Sequence, residues 1–124
     1  MAAHEISTAV ADAAAHAIDD KKGLDIAVMD VSEHLVITDV FVMATGTSRR
    51  HVRSLSDAVM EKLKDDLDRR PLRKEGTEEA NWILLDYGDI VVHVFDEETR
   101  EFYDLERLWG DAPRISFEPA TAEA

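Results

Sequence analysis

Two apolar runs dominate the pattern of the chain. Trp82-Ile83-Leu84-Leu85 and Ile90-Val91-Val92-His93-Val94-Phe95 flank the polar break Asp86-Tyr87-Gly88-Asp89. Both runs are rich in β-branched and aromatic residues, which predicts a β-hairpin with Gly88 at the turn position that needs positive φ. A strand with one wet face alternates apolar and polar residues. These runs are apolar at nearly every position, so the reading places them mid-sheet, covered on both faces, with helices above and below.

Periodicity assigns the other elements. Ile6, Val10, Ala13, Ala14, Ala17 and Ile18 recur at helical spacing, predicting a helix from Glu5 to Lys21 that Ser7 or an earlier residue caps and Gly23 stops. Leu24 to Val31 is a strand with Ile26 and Val28 on one face and Ala27 and Met29 on the other. Ser32-Glu33-His34 is a turn, and Asp39 to Thr45 is a second, central strand. Gly46-Thr47-Ser48 caps a helix from Ser48 to Arg69 whose buried stripe is Val52, Leu55, Val59, Leu63 and Leu67. Arg70-Pro71 closes it, because the residue before proline avoids helical backbone. Leu72 to Gly76 is a charged edge strand, and Asp96 caps a short helix opening on Glu97 and Glu98. A further short turn carries Leu105, Leu108 and Trp109. The order predicts an α/β domain over residues 1–113, with a mixed, roughly five-stranded sheet flanked by helices. Residues 114–124 read as a flexible tail, although Ile115 and Phe117 are able to dock.

Composition narrows the functional classes. At 124 residues with 45% hydrophobic content, the chain makes one folded domain. No apolar run reaches the length of a membrane span, no signal-peptide pattern opens the sequence, and cysteine is absent, so a cytoplasmic protein is expected. The 27 acidic and 14 basic side chains leave a net charge of −13. That charge repels phosphate, which argues against sequence-independent nucleic-acid binding and favours basic partners. Residues 49–74 hold nine basic against five acidic side chains, whereas residues 96–111 hold seven acidic against two basic. A polarised molecule is the expectation.

Candidate chemistry is sparse. The strand-turn-helix at Thr45-Gly46-Thr47-Ser48, followed by Arg49, Arg50 and His51, presents backbone N–H groups and hydroxyls at a helix N-terminus, where an anion can bind. A nucleotidyltransferase would add paired acids for magnesium. The available acids are Asp25, Asp30, Asp86 and Asp89, and none forms Asp-x-Asp after the helix. A plain helix cap is the favoured reading there. Asp86 and Asp89 read more simply as turn residues than as cation ligands. His93 reads as a hydrogen-bonded sheet residue, and the other histidines lack metal-ligand spacing. No catalytic residue, metal or cofactor is called for. Trp82 is assigned to the core, while Tyr103 and Trp109, set among carboxylates, are candidate anchors for a basic partner.

Three separated motifs carry a family resemblance: Thr45-Gly46-Thr47-Ser48-Arg49-Arg50-His51; Trp82-Ile83-Leu84-Leu85-Asp86-Tyr87-Gly88-Asp89-Ile90-Val91-Val92-His93; and Arg100-Glu101-Phe102-Tyr103-Asp104-Leu105-Glu106-Arg107-Leu108-Trp109-Gly110-Asp111-Ala112. From about Ile6 to Pro113 the chain resembles the ribosomal silencing factor (Iojap) family. The resemblance implies a fold related to nucleotidyltransferases but without catalytic activity. It implies a factor that docks on a protein of the large ribosomal subunit at the intersubunit face, the fourteenth of that subunit's series. Docking there prevents the small subunit from joining and lowers translation when nutrients are short; homodimers of the free factor are also implied. The face near the hairpin turn and the last helix is the expected docking surface. Asp86, Tyr87, Asp89, Asp104 and Glu106 would supply polar contacts, and Tyr103, Leu108 and Trp109 apolar anchors. A large-subunit assembly factor using the same surface, and a nucleotide-binding relative using Gly46, Thr47 and Ser48, remain alternatives.

Overall fold

A computed structural model describes residues 5–33, 35, 37–104, 107 and 112–115. The elements run α1 (Glu5–Asp20), β1 (Leu24–Asp30), β2 (Val40–Gly46), α2 (Arg49–Leu67), β3 (Arg73–Glu75), β4 (Trp82–Asp86), β5 (Ile90–Asp96) and α3 (Glu97–Tyr103). The strands form one sheet in the order β1-β2-β5-β4-β3. Only β2 and β5 are parallel, from Val40 opposite Ile90 to Gly46 opposite Asp96. Parallel neighbours need a long connection, and α2 lies within it. β1 pairs with β2 and β4 with β5, both antiparallel.

The hairpin forms as its pattern predicts, with Gly88 at φ 88° and the Tyr87 N–H donating to the Ile90 carbonyl at 2.9 Å. β5 is the central strand, and its residues Ile90 to Phe95 are all buried. β4 departs from the reading: only Ile83 and Leu85 are buried, while Trp82, Leu84 and Asp86 are half-buried. The alternation follows the two faces: Ile83 and Leu85 point into the helix-covered core, and Trp82 and Leu84 to the less covered face.

Helices flank the sheet on both faces, but unequally: only the short α3 packs on the side of Trp82 and Phe95. Both long helices pack on one face. Val10, Ala11, Ala14, Ala15 and Ile18 of α1 and Val52, Leu55, Val59 and Leu63 of α2 share a core with Val28, Val42, Ala44, Ile83, Leu85, Val92 and Val94. Fully burying each of the larger side chains contributes about 1.5–3 kcal/mol, and the alanines of α1 let two helices fit on one sheet face. Among the described residues, the opposite face is built from Ala27, Met29, Val31, Phe41, Met43, Val91, Phe95 and Ala112, with Leu35, Trp82 and Leu84 partly buried against them.

Several boundaries also shift. α2 starts as read, with Ser48 Oγ accepting the His51 N–H at 3.1 Å. It ends at Leu67, two residues early, because Asp68 takes a left-handed cap conformation at φ 53° and its N–H closes on the Lys64 carbonyl. Ser7 is not a cap: it sits within α1, buried, with its Oγ 2.8 Å from Asp39 Oδ2 and 3.2 Å from Asp89 Oδ2. Beyond Pro113, pairing continues, since Arg114 bridges Met29 and the Ile115 N–H donates to the Val28 carbonyl at 2.8 Å.

Candidate functional site

The sheet face opposite the long helices carries an exposed aromatic cluster. Alternation along β4 turns Trp82, Leu84 and Asp86 to this face and buries Ile83 and Leu85 behind it. α3 then folds back against β5 and β2. Asp96 caps α3 by accepting the Thr99 N–H at 2.8 Å. Arg100 ties the helix to the strand ends, donating from Nη1 to Thr45 Oγ1 at 3.0 Å and from Nη2 to the Asp25 carbonyl at 2.9 Å. Tyr103 thereby reaches Trp82, their rings 4.8 Å apart at 46°. Phe102 meets Tyr103 edge to face at 4.9 Å and is itself 79% exposed. Trp82 also lies 5.0 Å from the Phe95 ring. Trp82, Phe102 and Tyr103 thus form one continuous aromatic ledge, with Tyr103 half exposed.

His93 lies beneath the ledge. It is buried, and its Nδ1 accepts the Trp82 Nε1–H at 3.1 Å. With Nδ1 accepting, the neutral ring carries its proton on Nε2. Burial, assisted by the nearby Arg100 charge, depresses the pKa of His93 to about 4. The expectation of a hydrogen-bonded sheet histidine holds. Trp82, a core residue by its strand position, packs half-buried against that core and forms the inner end of the ledge, with Tyr103 as the middle ring. The available signal was the two-residue spacing of Trp82, Leu84 and Asp86, which already places Trp82 on one face with an acid.

The structure separates the expected docking residues into groups. Asp86 lies on the ledge face, accepting the Gly88 N–H at 2.8 Å through Oδ1 and Arg73 at 3.1 Å through Oδ2. Tyr103 and the exposed Asp104, which caps α3 at φ 40°, are beside the ledge. Tyr87 and Asp89 belong to the other side of the sheet. The Tyr87 ring is buried with the α1–α2 core, and its hydroxyl is enclosed and meets no partner among the described residues. Burial drives its pKa up to about 12, partly offset by Arg69. Asp89 accepts Arg69 at 2.6 Å and the Ile90 N–H at 3.1 Å through Oδ1. Burial alone would raise its pKa, but the hydrogen bond and charge of Arg69 outweigh that and lower it. Glu106, Leu108 and Trp109 lie outside the described residues, as does Leu105.

Charge polarity is weaker than the segment totals imply. Arg69, Arg70 and Arg73 close on Asp89, Asp68 and Asp86, so the basic segment and the hairpin acids neutralise each other locally. At the Gly46-Thr47-Ser48 turn, His51 Nδ1 accepts the Thr47 N–H at 2.9 Å, and His51 Nε2 donates to the Lys21 carbonyl at 2.8 Å. Two N–H groups of that turn, those of Thr47 and His51, are thereby engaged by His51 Nδ1 and Ser48 Oγ. Asp86 and Asp89 stand at the other end of β2 and β5, about 20 Å away at 3.3 Å per residue, out of reach of anything held at that turn.

Comparison with known proteins follows the same lines. Residues 4–124 match the family model described as "Ribosomal silencing factor during starvation", a longer stretch than the Ile6–Pro113 span of the sequence resemblance. The ribosomal silencing factor of Bacillus subtilis is 41% identical over 103 residues, covering 81% of this chain and 84% of its own length. The mouse protein named mitochondrial assembly of ribosomal large subunit protein 1 is 36% identical over 87 residues, covering 68% of this chain and 38% of that protein. A crystal structure of a Chromobacterium violaceum protein superposes with a TM-score of 0.80 at 35% identity, covering 94% of this chain and 98% of that one. No helix among the described residues is long and apolar enough to cross a membrane.

Proposed function

The chain belongs to the ribosomal silencing factor family, and from that premise we propose that it docks on a basic protein of the large ribosomal subunit and sterically blocks joining of the small subunit. The observation that carries this reading is the ledge of Trp82, Phe102 and Tyr103. Aromatic side chains are the usual anchors of protein interfaces, each contributing about 2 kcal/mol or more when a partner buries it. An exposed phenylalanine beside a half-exposed tyrosine and tryptophan is an expensive arrangement for a surface that stays wet. Asp86 and Asp104 stand at its margins, where carboxylates steer and orient a basic partner. Tyr87 and Asp89 drop out of the contact set and support the turn from the helix side. Glu106, Leu108 and Trp109 stay in it on sequence grounds.

The family resemblance names the partner as the fourteenth protein of the large subunit, at the intersubunit face. A chain of charge −13 is repelled by ribosomal RNA, which favours a protein landing site. Blocking requires no chemistry: the bound body occupies space that the small subunit needs. A dimer of the free factor and action in the cytoplasm belong to the same reading. Sucrose-gradient sedimentation of purified subunits with added protein tests it. Co-migration with the large subunit and a reduced joined-ribosome peak are expected; absence of binding to either subunit rejects it.

The name of the mouse relative supports a second reading, in which the same surface docks on immature large subunits during assembly. Subunit profiles from cells lacking the protein separate the two. Accumulated precursors favour assembly, whereas normal subunits with failed adaptation to starvation favour silencing.

A further inference from the structure

His93 is anomalous in its strand. Its neighbours Val91, Val92, Val94 and Phe95 are buried and apolar, and an apolar side chain would fill the same place without burying ring nitrogens. Its Nε2 is enclosed and has no hydrogen-bond partner among the described residues. A buried donor without an acceptor is unfavourable, so packing alone gives no reason for histidine here. What the imidazole gains over an apolar ring, among the described residues, is one hydrogen bond, the acceptance of the Trp82 indole N–H at 3.1 Å. The acceptor is held rigidly. Phe41 meets the His93 ring edge to face at 4.9 Å and 71°, and Phe95 stacks nearly parallel at 9° with centroids 6.0 Å apart. Trp82, by contrast, is half-buried at the start of a strand whose outer neighbour is the short edge strand β3, and Tyr103 rests against it.

We infer that His93 is the positioning residue of the docking ledge: by accepting the Trp82 Nε1–H it holds the indole, and through the indole Tyr103, in the orientation that the ribosomal partner meets. This rests on the docking reading above. His93 itself touches no partner and acts through Trp82, so its contribution is preorganisation of the ledge.

The test compares His93→Phe, which keeps a ring and removes the acceptor, with His93→Asn, whose Oδ1 stands near the position of Nδ1. In the free protein, indole N–H resonances are followed by NMR and the Trp82 signal is assigned with Trp82→Phe. His93→Phe should shift that signal and speed its exchange with solvent, and His93→Asn should restore it. Binding to the large subunit should weaken about tenfold in His93→Phe, while thermal stability holds or rises because the unpartnered N–H is gone. A merely structural histidine would lose stability and binding together. In a Trp82→Phe background, which keeps His93 and an aromatic ring but removes the indole N–H, His93→Phe should cost no further binding.

An unmoved indole signal overturns the inference without reference to the ribosome. So does a moved signal with unchanged binding, if Phe102→Ala still weakens binding and shows the ledge to be in use. Additive losses in the Trp82→Phe background overturn it as well. If the wild-type protein fails to bind while the indole signal responds as expected, the docking reading falls and takes with it the role assigned to the ledge, but not the hydrogen bond.

Discussion

Arg69 and Asp89 close the hairpin turn onto the helices. The guanidinium donates to Asp89 Oδ1 at 2.6 Å and to the Tyr87 carbonyl at 3.1 Å, while Ser7 of α1 approaches Asp89 Oδ2 at 3.2 Å. One carboxylate therefore joins the residues after α2, the β4–β5 turn and α1. Both partners are about 30% exposed, so the interaction is screened less than a surface pair and desolvated less than a buried one. Replacing Asp89 with Ala should cost about 1–3 kcal/mol, since the guanidinium loses its carboxylate and keeps only the Tyr87 carbonyl, and the Ile90 N–H loses the Asp89 side chain as acceptor. Urea denaturation measures this, and a loss under about 0.5 kcal/mol would show that the network is not holding the turn.

The same carboxylate gives an acid limb to stability. Its folded pKa lies below its ordinary value, so across that interval the unfolded chain binds a proton that the native chain does not. Stability from Asp89 is then fully present above the ordinary carboxylate pKa, about 4, and is lost as pH falls through the lowered folded value.

His93 acts in a higher window. Its pKa falls from 6.5 to about 4 on folding, through burial first and the Arg100 charge second. Between those values the unfolded state takes up a proton and the native state stays neutral. Stability should decline on acidification from about pH 6.5 to 4, with a limiting slope of about 1.4 kcal/mol per pH unit. Urea midpoints measured from pH 7 to 4.5 should show this slope in the wild type and a flatter profile in His93→Phe.

Phe102→Ala is the cleanest probe of the docking ledge. The side chain is 79% exposed, so its loss should change stability by only about 0.5 kcal/mol. Binding to the large subunit should weaken about tenfold or more if the ring enters a partner's pocket. Tyr103→Ala combined with Asp104→Lys should weaken binding further and lower its salt dependence. Unchanged co-sedimentation for both variants would move the docking surface elsewhere.

Gly76 tests a purely local constraint. Its φ is 80°, and a Cβ there would collide with the Trp82 carbonyl oxygen. Gly76→Ala should destabilise the protein by about 2 kcal/mol. It should also disturb the start of β4, visible as a change in the Trp82 indole environment.

Local signals made much of this fold readable. Period-two alternation and unbroken apolar runs identified the strands, and helical spacing with Ser48 and Asp96 as caps identified α2 and α3, because these features depend on residues a few positions apart. The charged, short β3 read as an edge for the same reason. Which side of the sheet each helix would take was not readable. Amphipathic spacing says that α1 and α2 each have one buried stripe, and two stripes fit one sheet face as well as two opposite faces. The small side chains of Ala11, Ala14 and Ala15, all fully buried, are what let both fit.

The site divides along the same boundary. Composition, spacing and the three motifs determined the α/β class, the family kinship and an acid-rich segment bearing aromatics. Tertiary structure alone decided that Trp82 and Tyr103, 21 positions apart, share a ledge with Phe102, and that Asp86 and Asp89, three apart, face opposite sides of the sheet. A hairpin turn reverses the chain and a strand alternates its faces, so nearness in sequence does not determine nearness on a surface. The partner of a side chain is set by register across strands, and register depends on the whole sheet.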